Sequence, residues 1–273
     1  MKKNTKKMAA ILSILSIITI GSTYIANASL LFKPNYSSTQ QEKMITLTPT
    51  FITKNNIKIQ EKNINLKTPN YEINIKLPVI TELKNKEAEA KINSKIEKLI
   101  NNYKNQIVSG ADKFAKEVKK QGWPMRQFVL VSDYEIYNND ENILSFTITV
   151  YSYTGGAHGM TEKFAFNIDM QSGKELALKD LFKESFDYKT ELTKEINKQI
   201  AEDNAKPIDD KTKFMFFQDA KANLCKSQYY IDNKNLVIYF PLYELAPYSS
   251  GIPSFKIPLD SLKDNLNESL YSK

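Results

Sequence analysis

Apolar and polar residues alternate with a period of two through "IKIQEKNINL" and "YEINIKL", placing Tyr71, Ile73, Ile75 and Leu77 on one side of the chain. Successive side chains of a strand point to opposite faces, so this pattern predicts two half-buried strands. The period then changes. From Asn85 to Val108 the apolar residues Ile92, Ile96, Leu99, Tyr103 and Ile107 recur three or four apart, with Lys and Glu between them. That spacing predicts an amphipathic helix, which continues or restarts through "ADKFAKEV" and stops at "QGWP", where Gly122 and Pro124 punctuate.

Two-residue alternation returns in "RQFVLVSDYEIYN", "NILSFTITVYSY" and "TEKFAFNID", which predict an antiparallel meander. The turn "QSGK" after it uses Gly173, which is free to take positive φ. A second helix is predicted from about Tyr188 to Asp203, with Tyr188, Leu192, Ile196 and Ile200 four apart, and it breaks at Pro207. Beyond it come a less regular helical piece, "KFMFFQDAKANL", the strands "QYYIDN", "NLVIYFPLYEL" and "SFKIPL", and a short closing helix from Asp260. This order predicts an α+β fold of antiparallel β-sheets packed with amphipathic helices, as two related or continuous modules at residues 57–160 and 161–273.

The N-terminus follows a different logic. Lys2, Lys3, Lys6 and Lys7 precede an apolar run from Met8 to Ile20, and "ANA" at residues 26–28 puts small residues where a signal peptidase reads them. Residues 1–28 are therefore expected to be a signal peptide cleaved after Ala28, or, uncleaved, a signal anchor that would be the chain's only attachment to a membrane. In both cases the rest lies outside the cytoplasm. Residues 29–56 are rich in Ser, Thr, Asn and Pro without a sustained period and are expected to be a linker.

Composition narrows the function. The formal charge of +7 includes those four N-terminal lysines, and no acid precedes Ser29, so removing the four leaves +3 on the remainder. Of 38 basic residues only Arg126 is an arginine, which removes paired-guanidinium recognition of phosphate and argues against nucleic acid. Cys225 is the one cysteine, so no intrachain disulfide forms, and the thiol is expected to be buried packing. His158 is the one histidine. A metal-dependent hydrolase cannot be assembled around it on the usual ligand pattern, and no cofactor is implied.

Two loops hold the candidate chemistry. In "YSYTGGAHG", Thr154, Gly155, Gly156, Ala157, His158 and Gly159 follow a predicted strand. The segment lacks the serine of a nucleophile elbow and the Gly-Lys-Ser/Thr ending of a phosphate loop. Its glycines shape a tight, bulged reversal in which His158 is a hydrogen-bonding residue with an imidazole free to meet a partner. In "ELAPYSSGIP", Pro247 stiffens the chain beside Tyr248, Ser249, Ser250 and Gly251, the mixture of rigid aromatic and small polar groups favoured at recognition surfaces. A carboxylate pair for glycoside hydrolysis can be drawn in many ways among 31 acids, so sequence gives it no specificity.

Taken together, "YSYTGGAHG", "FNIDMQSGKELALKDLF" and "YYIDNKNLVIYFPLYELAPYSSGIPSFKIPL" resemble the paired extracytoplasmic domains of sigma-V type anti-sigma factors, which act as lysozyme receptors. The same pair precedes the catalytic domain in some Gram-positive peptidoglycan deacetylases. The resemblance covers roughly residues 57–262. Seven residues precede the apolar run, so the sigma-binding activity of that family is expected to be absent, and the deacetylase catalytic domain is expected to be absent as well. The resemblance implies an exported, non-enzymatic binding module at the cell envelope, whose two loops contact an extracellular protein, lysozyme first, or a cell-wall glycan. The alternatives are a peptidoglycan hydrolase acting through carboxylates and an accessory domain that binds wall polymer.

Overall fold

The computed structural model describes residues 42–52, 58–139 and 142–268. The expected export segment, residues 1–28, lies outside them. Six strands form one sheet in sequence order: β1 (Glu42–Ile52), β2 (Lys58–Lys67), β3 (Tyr71–Thr81), β4 (Phe128–Asn139), β5 (Ile143–Tyr153) and β6 (Met160–Asp169). All neighbours are antiparallel except β3 and β4, which run parallel with Tyr71 opposite Phe128. A parallel pair needs a long crossover, and the helix α1 (Lys86–Gln121) supplies it. The antiparallel meander expected of the three strands after the helix is β4, β5 and β6, and β3–β4 is the one parallel pairing beside it.

The two candidate helical stretches after Asn85 are a single helix of 36 residues. Asn85 caps it by accepting from the Ala88 N–H, acids occupy its first turn and lysines its last, and Gly122 closes it at φ 69° with its N–H on the Val118 carbonyl. Gly110 does not interrupt it, since the Phe128 ring packs against that position from β4. Ile92, Ile96, Ile100, Ile107 and Ala111 of α1 are buried with Ile73, Ile75, Leu77, Leu130, Phe146, Ile148 and Val150 of the sheet. The apolar stripe of the helix meets the apolar face of the strands.

A second sheet is the antiparallel meander β7 (Gln228–Asp232), β8 (Asn235–Tyr239) and β9 (Ser254–Pro258). On one face it packs with α2 (Tyr188–Asn204), through Leu192, Ile196 and Ile200 with Leu236, Ile238, Phe240, Phe255 and Ile257. Its other face presents Tyr230, Val237 and Tyr239 to Tyr137 and Ala165 of the six-stranded sheet. The order of layers is therefore α1, six-stranded sheet, three-stranded sheet, α2.

That order explains why β5 is buried along most of its length. Leu144, Phe146, Ile148 and Val150 face α1, whereas Ser145 and Thr147, equally buried, face the second sheet. At this seam the Ser145 hydroxyl donates to Asn167 Oδ1 at 2.6 Å and accepts from the Ile231 N–H at 2.8 Å, while Asn167 Nδ2 donates to the Tyr229 carbonyl at 2.8 Å. Tyr137 stacks on Tyr230 at 3.9 Å, and the Lys163 ammonium lies 5.4–5.8 Å from the rings of Tyr137, Tyr230 and Tyr239.

Several sequence expectations differ from this arrangement. Residues 42–52, drawn within the linker, form β1, and β6 carries the first sheet past residue 160 to Asp169. The "KFMFFQDAKANL" segment is not helical and reaches only a single 3-10 turn at Leu224–Lys226. Its rings explain the difference: Phe216 stacks on Phe255 of β9, and Asp203 accepts the Phe214 N–H, so tertiary partners hold the chain extended. The closing helix from Asp260 is two 3-10 turns, Leu259–Ser261 and Lys263–Asn265. Cys225 is exposed rather than buried, because it sits in that surface turn with its N–H on Asn223 Oδ1.

Candidate functional site

The β5–β6 hairpin ends in the loop Thr154–Gly159. Arg126, the chain's one arginine, donates from Nη1 to the Gly155 carbonyl at 2.6 Å, and the Tyr153 hydroxyl donates to the Gly156 carbonyl at 3.1 Å. Gly159 is buried against the Tyr151 ring, and a Cβ there would overlap the ring itself. This close approach, together with φ 84° at Gly155, is why the reversal needs glycine.

His158 projects from this loop with its side chain exposed. Its Nδ1 lies 2.7 Å from the Gly159 carbonyl, so Nδ1 is the nitrogen that donates to the backbone and Nε2 points away from it. The Tyr243 hydroxyl is 3.4 Å from Nε2. The imidazole is oriented by a backbone carbonyl and faces a phenol, which is not the carboxylate–imidazole–hydroxyl chain of acyl-transfer chemistry.

The second loop is built around a 3-10 turn at Tyr248–Ser250, entered by Pro247 at φ −65° and left by Gly251 at φ 83°. A third segment fixes it from behind: Ser250 Oγ donates to the Met215 carbonyl at 2.9 Å, and the Phe217 N–H donates to the Leu245 carbonyl at 2.9 Å. Leu245 and Ala246 are buried beneath.

The two candidate loops, 95 residues apart at Thr154 and Ser249, meet. His158 stacks on Tyr248 with ring centres 4.2 Å apart and planes 24° from parallel, and Tyr243 lies 5.9 Å from Tyr248. Burial, reinforced by Tyr243, raises the Tyr248 phenol above its ordinary value, and burial with Tyr248 nearby does the same for Tyr151. These phenols therefore stay neutral near pH 7 and present apolar rings with hydrogen-bonding tips.

Of the residues expected from sequence, His158 and Tyr248 are in ring contact, Gly155, Gly156 and Gly159 shape the first loop, and Pro247, Ser250 and Gly251 shape the second. Thr154, Ala157 and Ser249 are exposed on the two loops. Sequence reasoning missed Tyr243, Met215 and Phe217. Reading "KFMFF" with a period of two would have exposed the last two, since Phe216 packs inward while Met215 and Phe217 are among the exposed large apolar residues. Among the described residues no cluster of three His, Cys, Asp or Glu side chains is placed to hold a metal ion, and no helix is long and apolar enough to cross a membrane.

Residues 64–161 match the family model described as Deacetylase PdaC, and residues 179–260 match that of a Protein of unknown function, DUF3298. Two relatives come from Bacillus subtilis (strain 168). Peptidoglycan-N-acetylmuramic acid deacetylase PdaC is 28% identical over 181 residues, 66% of this chain and 38% of its own length. Anti-sigma-V factor RsiV is 29% identical over 190 residues, 68% of this chain and 62% of its own. The chain thus spans less than two thirds of either relative. A crystal structure of a DUF3298 family member from Bacteroides fragilis shares the fold, with a TM-score of 0.55 at 17% identity over 84% of this chain and 93% of that one. The two matches fall on the same pair of segments as the resemblance carried by the loop motifs, and the His158–Tyr248 contact joins one matched segment to the other.

Proposed function

We propose that this pairing of a PdaC-type and a DUF3298-type segment is an exported, non-enzymatic binding module at the cell envelope. The observation that carries the reading is the contact of His158 on Tyr248, which turns two loops from separate matched segments into one aromatic surface. Preorganised aromatic side chains held by backbone hydrogen bonds suit recognition, because little conformational freedom is lost when a partner docks. The N-terminal signal pattern and the similarity to a peptidoglycan deacetylase and an anti-sigma-V factor support an envelope setting.

Lysozyme is the first ligand to test, bound through residues Thr154–Gly159 and Pro247–Gly251 and inhibited by being occupied. Common lysozymes are basic and residues 29–273 carry +3, so long-range attraction does not drive the encounter and short-range contact must. Calorimetric titration of residues 29–273 against lysozyme, with a lysozyme activity assay and the Tyr248→Ala variant, tests this. The expected result is tight binding, loss of lysozyme activity and at least a tenfold weakening by the variant, in line with an aromatic anchor contributing ~1.4 kcal/mol or more. Absence of heat would remove lysozyme, and retention on lysozyme-free peptidoglycan sacculi would then assign the surface to wall glycan.

A further inference from the structure

Three of the six residues in the loop Thr154–Gly159 are glycine. Among the described residues this loop takes part in no backbone–backbone hydrogen bond, and its chain runs through bends rather than a hydrogen-bonded turn. Glycine loses more conformational freedom on ordering than any other residue, so such a loop depends on side chains to hold it. Three of these belong to the hairpin itself: the Tyr153 hydroxyl on the Gly156 carbonyl, the His158 imidazole on the Gly159 carbonyl, and the Tyr151 ring against Gly159. They shape the loop but do not tie it to the rest of the protein.

Arg126 supplies a tie from outside the hairpin. Its Nη1 donates to the carbonyl of Gly155, the residue at which the chain reverses with φ 84°. Its stem follows the same residue, since a Cβ built on Gly155 would sit 3.5 Å from Arg126 Cβ and 3.6 Å from both its Cδ and the Phe128 ring. The base of the arginine is itself fixed. Gln127 Nε2 donates to the Thr68 carbonyl at 2.7 Å, the Phe128 N–H donates to the Asn70 carbonyl at 2.9 Å, and the Phe128 ring is buried beside Phe114. Arg126 forms no ion pair among the described residues, so its guanidinium is committed to the loop carbonyl instead of to an acid. A planar guanidinium holds a directional hydrogen bond at less cost than a strongly hydrated ammonium, and this is the one place among 38 basic residues where the chain uses it.

We infer that Arg126 is a positioning residue of the recognition surface: by pinning the Gly155 carbonyl it holds the loop where His158 stacks on Tyr248, and it acts through the loop rather than by touching a partner. This rests on the reading of the loop pair as a recognition surface, and adds to it the group that keeps the pair assembled. The loop has a support on each side. Arg126 stands on the connection from α1 to β4 within the PdaC-type segment, and Tyr248 with Tyr243 belongs to the DUF3298-type segment. With both in place His158 presents its ring already ordered, which removes the ordering cost that a glycine-rich loop would otherwise add to docking.

Because His158 is the one histidine, its imidazole proton resonances report on the stack without ambiguity in the full chain prepared without a histidine tag. The Tyr248 ring current displaces them in the wild type, and Tyr248→Ala gives their unstacked positions. Arg126→Met keeps the stem against Gly155 and removes only the donors. It is expected to move the resonances toward those of Tyr248→Ala while lowering Tm by less than about 4 °C, since the residue is exposed. Lysozyme serves as the binding probe, and its affinity is expected to fall in proportion to the stacked fraction, about twofold if about half of the molecules lose the stack. Resonances that stay at their wild-type positions overturn the inference, as does a larger fall in Tm, which would make Arg126 a support of the fold. An affinity loss far beyond the lost stacked fraction also overturns it, because Arg126 would then touch the partner itself. If the wild type does not bind lysozyme, the lysozyme reading fails on its own, and the resonances still decide whether Arg126 positions the loop.

Discussion

The two faces of the six-stranded sheet are covered by different chemistry. Beneath α1 the sheet offers mainly Ile, Leu, Val and Phe, and the contact is dominated by apolar area, with Asn93 of α1 adding two hydrogen bonds to the Ile80 backbone. Against the second sheet it offers Ser145, Thr147, Asn167, Lys163 and Tyr137, and the contact is held by hydrogen bonds and ring stacking whose geometry admits one register. A packed apolar face tolerates small slides, whereas a polar seam misplaced by an ångström leaves buried groups unpaired. The difference matters for the candidate site, because His158 extends from the first sheet and Tyr248 from the module around the second. The seam is therefore expected to set their separation.

The sharpest way to probe that contrast is to cut each face once and compare unfolding free energies in urea. Phe146→Ala, beneath α1, removes a fully buried ring that stacks on Phe166 at 5.0 Å, and is expected to cost about 3–5 kcal/mol. Asn167→Ala, at the seam, strips the Tyr229 carbonyl of its donor and the Ser145 hydroxyl of its acceptor, and is expected to cost about 1–3 kcal/mol. It should also weaken ligand binding at the distant loops, which Phe146→Ala at matched stability should not. Equal effects on binding would mean that the seam does not position the site.

Alkaline titration sharpens the comparison further. Burial raises the phenols of Tyr137, Tyr230 and Tyr239 at the seam. Above about pH 10 the unfolded chain releases these protons while the folded chain keeps them, so stability falls as pH rises. Lys163 has the opposite sign: burial lowers its value, and between that value and about 10.4 the unfolded chain holds the extra proton, so this group adds stability with rising pH. Three phenols outweigh one ammonium above pH 10. Urea unfolding from pH 8 to 11 is expected to show a decline that Tyr137→Phe makes shallower and Lys163→Met makes steeper. The smallest effect belongs to the surface: Lys95→Ala breaks the exposed 2.6 Å ion pair with Glu175 and is expected to cost less than about 1 kcal/mol by the same measurement.

The apolar face was legible in the sequence and the polar one was not. Period-two strands and four-residue helical spacing mark residues that meet an apolar layer, which is why Ile73, Ile75, Leu77, Ile92, Ile96, Leu192 and Ile196 lie in the core where the pattern placed them. Ser145, Asn167 and Lys163 read as the outer face of ordinary strands, since polarity alone does not distinguish water from a hydrogen-bonded neighbour. The parallel β3–β4 pairing was hidden for a related reason: a helix between two strands fits either orientation until the crossover is built. In "KFMFF" helical propensity was overruled by the partners of Phe214 and Phe216.

The candidate site divides the same way. Glycines at 155, 156 and 159 and the Pro247–Gly251 run announced two shaped loops, because backbone conformation is a local property that residue type restricts directly. Their encounter, the orientation of His158 by its neighbouring carbonyl, and the addition of Tyr243, Met215 and Phe217 came only from the layered arrangement of the two sheets. Sequence by itself determined the α+β class, the elements with regular apolar periods and the loops that glycine and proline shape. Tertiary structure decided which loops become neighbours, because separations across dozens of residues depend on how whole sheets dock, and that docking rests on specific polar contacts that leave no periodic trace in the chain.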